Sequence, residues 1–435
     1  MEILTLFIIF ACLLMLLASG MSIAFCFLAI NVVGFFILFG PAGLEQLVDS
    51  IYTTLNTFII LPVPLFILMG EVLFQSGIGP VLIQVIAKWM GKVPGRLGLL
   101  AVAAGTLFST LTGTSLASVA MLGTVLVPEM KKHGYHPVMS AGPILGSGGL
   151  AMMIPPSALA VLAAAIAEVS VGKTLIAIIV PGLLLAASYA AYIIIRCALN
   201  PSLAPAYDVE PVPLAEKLRE TVKYVLPQGI VIFLVIGLIF LGVATPSEAA
   251  ATGAAGTIIL ALCYRRLTWD VIKRVSIGSV SLTGMLFLII CGATAFSQVL
   301  AYTGGSRMLT ELASNLPIAP ILVIIAMQVL VLILGALMDV VSIMMITLPV
   351  FMPVVETLKF DTVWFLVLFL INIEMAGISP PYGLSLFVMK GVVGNEMTMG
   401  DIYRASFPFL GCGLFVMALV LVFPLLALWL SRFMS

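Results

Sequence analysis

Charge is what this sequence has least of. Only 9% of its 435 residues are Asp, Glu, Lys or Arg, against 62% hydrophobic residues. A soluble domain carries about 25% charged residues, so a chain this poor in them cannot cover its own surface in water. Mean hydropathy is +1.27, and the solvent implied is a lipid bilayer. The charges cancel, 19 basic against 19 acidic. That balance, with no basic tail, argues against nucleic acid as a partner and against surface-only membrane binding. Histidine is nearly missing: His133 and His136 are the only two. They form a His-x-x-His in the charged loop "KKHGYHP", where glycine and proline deny a metal-binding helical face, so a solvated loop is expected. The six cysteines (Cys12, Cys26, Cys197, Cys263, Cys291, Cys412) lie in or beside apolar runs without a Cys-x-x-Cys pair. Small buried hydrophobes, rather than disulfides or a metal cluster, are expected. No nucleophile elbow, phosphate-binding loop, His-Glu-x-x-His or dinucleotide fingerprint occurs in a sensible context. ATP-driven pumping and metal-assisted hydrolysis therefore find no support.

Apolar runs are what the chain has instead. They lie near 3–18, 22–39, 51–75, 97–127, 140–169, 174–198, 226–243, 247–263, 278–301, 318–355, 361–390 and 404–430. The length allows ten or more spans of about 20 residues each. The first run lacks the positive n-region of a signal peptide and is followed at once by a second, so a retained first span is expected. The longest polar segment, Asn200 to Tyr224, is proline-rich at its start and charged at its end. It reads as a linker leading into a surface helix.

One feature is written twice. "MMIPPS" and "SPPYGLSLFV" each put Pro-Pro inside an apolar run, at Pro155 and Pro380, 225 residues apart. Pro128 and Pro353 share that offset, and "PLFILMGEVLFQSG" (64–77) echoes "MLFLIICGATAFSQ" (285–298). These matches, in order, suggest a duplication: a first half over 1–199, the 200–224 linker, and a second half over 225–435. Proline rings break a helix and strand carbonyls that a bilayer cannot hydrate. Such breaks persist where they are useful or where neighbouring helices repair them.

Lys and Arg clusters at 88–96, 131–132, 196–223 and 265–274 share one side only if the run 97–127 enters and leaves on that side. Its 31 residues fall short of the about 40 needed for two crossings. A re-entrant hairpin is expected there, and a second, from the opposite face, over 318–355. Each half then holds about five spans and one hairpin, and the odd number of crossings inverts the second half. The fold class expected is an all-α polytopic membrane protein with an inverted repeat, the signature of a secondary transporter.

Candidate chemistry sits where polar groups interrupt these segments. Ser109, Thr110, Thr112, Thr114, Ser115 and Ser118 surround Gly113 in the first hairpin. Hydroxyls and freed carbonyls are the hard oxygen ligands that suit Na⁺. Alternatively they bond back to their own helix or aid close packing. Asp339, the 225-offset counterpart of Thr114, is a cation ligand, a proton site or a polar group at a hairpin tip. Glu71, Glu248 and Glu374 either lock helices together or take part in coupling. Arg307 and Lys390, near segment ends, are expected to snorkel.

Together, "GVATPSEAAATGA", "PLFILMGEVLFQSG", "FSTLTGTSLASVA", "MMIPPS" and "SPPYGLSLFV" resemble the large membrane subunit of tripartite ATP-independent periplasmic (TRAP) transporters. The resemblance spans nearly the whole chain. It implies an elevator-type transporter in a bacterial inner membrane, with Na⁺ as coupling ion and a small organic anion as substrate. It also implies two separate partners, a small four-span membrane subunit and a periplasmic binding protein. On that basis the substrate is expected at Thr110, Thr112, Ser157, Ser379 and Gly383. Na⁺ is expected at Ser109, Gly113, Thr114, Ser115, Pro155, Asp339, Ser342, Gly377 and Pro380. Gly146 to Gly149 exceeds the glycine content of the family pattern and is expected to loosen the helix before the first break. The rival readings are a stand-alone Na⁺- or H⁺-coupled dicarboxylate or citrate carrier and, more remotely, a membrane-embedded enzyme.

Overall fold

The computed structural model describes residues 2–112, 115–205, 207, 212–305, 307–308, 310–311 and 317–434, with the side chains at 2–7, 14, 18 and 108–112 also outside the description. Every regular element among the described residues is helical. Seven helical stretches are long and apolar enough to cross a membrane, among them 171–199, 214–240, 246–263, 269–302 and 399–422. Shorter apolar helices fill the rest, because prolines and glycines cut what hydropathy alone reads as continuous runs.

Two pairs of helices fold back on themselves. Arg96–Thr112 and Ser115–Lys132 form the arms of a first hairpin, and Pro320–Gly335 and Val340–Thr357 those of a second. Each is followed by a broken helix, Pro137–Gly149 with Ala158–Ile166 and Thr362–Gly377 with Leu384–Val393. The Pro155–Pro156 and Pro380–Pro381 peptide bonds within the breaks are both cis.

The hairpins rest on opposite faces. At the base of the first, Lys131 pairs with Glu396 at 2.7 Å, and Arg96 donates to the Tyr207 hydroxyl at 2.8 Å. The same face carries Lys88, whose ammonium bridges Glu216 and Glu220 at 2.7 and 2.6 Å. The base of the second hairpin lies elsewhere. Trp364, just beyond it, donates its indole N–H to the Val420 carbonyl at 2.9 Å. The segment after Val420 ends against Gly172 through Met434, beside a surface recess that also holds Phe58 and Thr245.

Several sequence expectations change here. The loop holding His133 is largely exposed, as expected, at Lys131, Lys132, Gly134 and His136, but the His133 side chain itself is partly covered. Its ring stacks on Tyr207 with centroids 3.4 Å apart, and the His136 N–H donates to the Leu203 carbonyl at 2.9 Å. The linker folds back on the hairpin base, a contact about 70 residues distant that no local pattern announces. Nor is the expected surface helix separate: Leu214–Glu220 runs through a wider turn at 221–225 into Leu226–Phe240 as one helical stretch. Cys26, Cys197 and Cys291 are buried as expected, whereas Cys263 is exposed. The Lys390 ammonium reaches past its own helix end and donates to the Gly394 and Met397 carbonyls. Arg307 pairs with Glu311 at 2.9 Å.

The glycines before the first break tighten the helix packing instead of loosening it. A β-carbon at Gly146 would lie 2.3 Å from the Phe409 ring, at Gly148 2.3 Å from Val119, and at Gly149 2.7 Å from Glu374 Cγ. Three neighbours press on one helix from three sides, at distances that only the absence of a side chain allows.

Candidate functional site

The start of the first hairpin's return arm, the tip of the second hairpin and the two helix breaks meet inside the protein. At the expected first tip, Gly113 and Thr114 lie outside the described residues, as do the side chains of Ser109, Thr110 and Thr112. The return arm starts at Ser115, which is buried, and its hydroxyl has no hydrogen-bond partner among the described residues. An unsatisfied buried hydroxyl costs about 1–3 kcal/mol, so this oxygen marks a place where a ligand is worth having.

Asp339 starts the return arm of the second hairpin as its N-cap. One carboxylate oxygen accepts from the Val341 and Ser342 N–H groups, both at 3.0 Å. The other accepts from the Ser342 hydroxyl. Short acidic residues favour this position because they satisfy amides that the first turn leaves bare, and the helix dipole favours their charge. A carboxylate has about four lone-pair directions. Three are used here, which leaves one for a cation.

The first break is buried throughout 151–158. Leu150–Met152 tightens into a 3₁₀ turn, and Ser157 caps the second half by accepting from the Ala160 N–H at 3.2 Å. Helix 179–199 comes so close that a β-carbon at Gly182 would sit 2.3 Å from the Met153 carbonyl oxygen. The second break is more open, with Pro381 and Tyr382 at its surface. Gly383 folds back on it: an added β-carbon would meet the Gly377 carbonyl at 2.7 Å and the Ser379 N at 2.8 Å. The Tyr403 hydroxyl donates to the Pro381 carbonyl at 3.1 Å.

A cavity of about 200 Å³ lies at the centre of these parts. Of the residues singled out in the sequence, Ser115, Asp339 and Gly377 line it. Ser342 lines a second, more open cavity of about 550 Å³ that shares Asp339. Ser157, Ser379, Gly383, Pro155 and Pro380 build the breaks alongside without belonging to the lining of either cavity. Sequence reasoning missed the remaining lining. Ser385 is a buried polar group in the second half of the second broken helix, and its signal was its place two residues past Gly383 in "SPPYGLSLFV". Ile67, Leu282, Met285 and Leu286 form an apolar wall from helices Pro62–Gln75 and Trp269–Tyr302. Leucine and methionine in a hydrophobic helix carry no signal that separates a cavity wall from a lipid face.

The acidic residues divide by environment. Glu374 is buried in the second broken helix, where one oxygen accepts from the Tyr189 hydroxyl at 2.8 Å and the other has no partner among the described residues. Glu71 lies against Gly278 and accepts from Gln75 at 3.2 Å. Glu248 closes a capping box with Thr245 at the start of helix Pro246–Cys263, so the "TPSEAAA" run is a helix start. Among the described residues no three His, Cys, Asp or Glu side chains converge on a metal position.

Helical hairpins meeting broken helices in a polytopic membrane protein define a class of secondary transporter. The family described as "Tripartite ATP-independent periplasmic transporter, DctM component" matches residues 10–426. The C4-dicarboxylate TRAP transporter large permease protein of Pseudomonas aeruginosa is 32% identical over 403 residues, 92% of each chain. The sialic acid TRAP transporter large permease protein of Vibrio cholerae is 27% identical over 420 residues, 96% of each. The solved YdaH transporter of Alcanivorax borkumensis shares the fold with a TM-score of 0.66 at 17% identity, covering 91% of this chain and 90% of its own. The chain belongs to the TRAP transporter large permease family. That makes it a transport protein of the membrane and not an enzyme.

Proposed function

We propose that the chain imports a small organic acid anion across the bacterial inner membrane, coupled to Na⁺, by moving the hairpins and broken helices against a fixed wall. The observation that carries this reading is the convergence of Ser115, Asp339, Gly377 and Ser385 on one cavity whose opposite side is purely aliphatic and thioether. Ser115 supplies an unused oxygen and Asp339 a charge with one lone-pair direction open, a donor set that suits a hard monovalent cation. The N-termini at Ser157 and Gly383 offer partial positive charge to a carboxylate.

The division into moving and fixed parts rests on where the hydrogen bonds fall. Asn31 of helix Ile23–Phe39 donates to the Gly292 carbonyl and Gln46 of helix Pro41–Leu55 to the Tyr302 hydroxyl, tying both helices to the wall helix Trp269–Tyr302. Tyr189–Glu374, Asn372–Gln328 and Lys131–Glu396 lie within the other group. An apolar contact between two internally bonded bodies is able to slide. The two groups also fit an inverted repeat of 1–199 and 225–435, with the face carrying Lys88, Lys131 and Lys132 cytoplasmic. One net positive charge moving inward gains ~2.3 kcal/mol per 100 mV, roughly fifty-fold in accumulation.

The relatives' names include C4-dicarboxylate, sialic acid and 2,3-diketo-L-gulonate, so the substrate class proposed is a small carboxylate. The partners proposed are a small membrane subunit and a periplasmic binding protein. The test is uptake into proteoliposomes with both partners present. Accumulation driven by an inward Na⁺ gradient and lost without the binding protein is expected. Uptake by this chain alone supports the stand-alone carrier instead.

A further inference from the structure

The chain turns a corner at 264–268, between helix Pro246–Cys263 and helix Trp269–Tyr302. Arg265, Arg266, Lys273 and Arg274 are all exposed there, and Asp270 is the only acid from 264 to 274. The Tyr264 hydroxyl donates to the Lys223 carbonyl at 2.5 Å, which brings a fifth exposed cation to the corner. None of these five cations forms an ion pair among the described residues. By contrast Lys88 and Lys131, on the same face, both find glutamates.

The helix leaving the corner has two distinct faces. Val271, Val275 and Ser279 are buried against the protein, whereas Trp269, Ile277 and Val280 are 79%, 60% and 73% exposed. Lys273 belongs to that outer stripe, one helical turn from both Trp269 and Ile277. The helix has 34 residues, about 51 Å at 1.5 Å per residue, against a hydrocarbon core of about 30 Å. Its first turns therefore stand at headgroup level, with the aromatic and the cations above the aliphatic residues. The Tyr224 and Tyr264 rings, 5.6 Å apart, lie at the same corner.

We propose that this corner binds an anionic phospholipid, its phosphodiester against Arg265, Arg266, Lys273 and Arg274 and its acyl chains along Ile277 and Val280. Four cations against one acid between 264 and 274 leave a surplus of positive charge that a zwitterionic headgroup cannot neutralise. The exposed aliphatic stripe continuing from Lys273 favours a lipid over free phosphate. The bound lipid would anchor the foot of the helix that also supplies Leu282, Met285 and Leu286 to the cavity wall.

The test is native mass spectrometry of the purified chain with phosphatidylglycerol or phosphatidylcholine. The wild type is expected to retain phosphatidylglycerol preferentially. R265Q/R266Q and K273Q/R274Q should each weaken that retention at least ten-fold, at about five-fold per cation. K131Q/K132Q, a charge pair on the same face, should leave it unchanged. Equal retention of the two lipids, no loss in the two corner variants, or an equal loss in K131Q/K132Q overturns the proposal. Displacement of phosphatidylglycerol by an equal concentration of inorganic phosphate also overturns it. If the corner variants misfold, a photo-crosslinking residue at Ile277 in the otherwise intact chain tests the same contact. Capture of phosphatidylglycerol is expected, and its failure contradicts the assignment.

Discussion

Glycine sets the distances between helices at the heart of this protein. Gly149→Ala would drive a methyl into Glu374 Cγ and Oε1, at 2.7 and 2.9 Å, and is expected to cost about 1–3 kcal/mol, read as a lower unfolding temperature in detergent. Tyr189→Phe removes the hydroxyl that donates to Glu374. The carboxyl is then left without a described partner, at a cost of about 1–3 kcal/mol. Unfolding temperatures matching the wild type would show that these contacts do not hold the broken helices together. In the sequence, Glu374 is visible as an acid in an apolar run, but its partner is not, because a tyrosine 185 residues away carries no mark of the pairing. The "GSGG" run misleads for a related reason. Glycine lowers helix propensity locally, yet here Phe409, Val119 and Glu374 occupy the space that it frees.

Local chemistry is easier to read at the level of whole elements. Doubled prolines, a run too short for two crossings and the placement of basic residues lead to both hairpins and both breaks within a few residues of where they stand. Proline acts on its own helix, so its effect is written locally. The linker is only half legible, since its fold depends on the hairpin base that it covers. Tyr207→Ala removes both the stack on His133 and the hydrogen bond from Arg96. It is expected to expose residues 200–205 to limited proteolysis; an unchanged cleavage pattern would mean that other contacts hold this part of the linker. The "TPSEAAA" run acts as a helix start, so Thr245→Ala, which removes the cap accepting from Glu248, should lower stability by about 1 kcal/mol without altering coupling-ion dependence in the uptake assay.

For the whole molecule, the issue is whether one body slides past another. Met285 and Val341 both line the central cavity, one from the wall and one from the second hairpin. Cysteines at these two positions, in a chain freed of its own six cysteines, are expected to stop uptake when oxidised and restore it on reduction. Full uptake by the cross-linked protein would rule out relative movement there. Which helices form the wall is beyond the sequence: the hydropathy of both wall helices falls within the range of the other spans, and only their contacts set them apart. The cavity's purpose is tested most directly by thermal unfolding of the purified chain in NaCl and in KCl, for the wild type and Ser115→Val. Na⁺ at about ten times its dissociation constant should stabilise the wild type by about 1.4 kcal/mol, and Ser115→Val should abolish the difference. Identical unfolding temperatures for the wild type in the two salts would contradict a Na⁺ site between the hairpin tips.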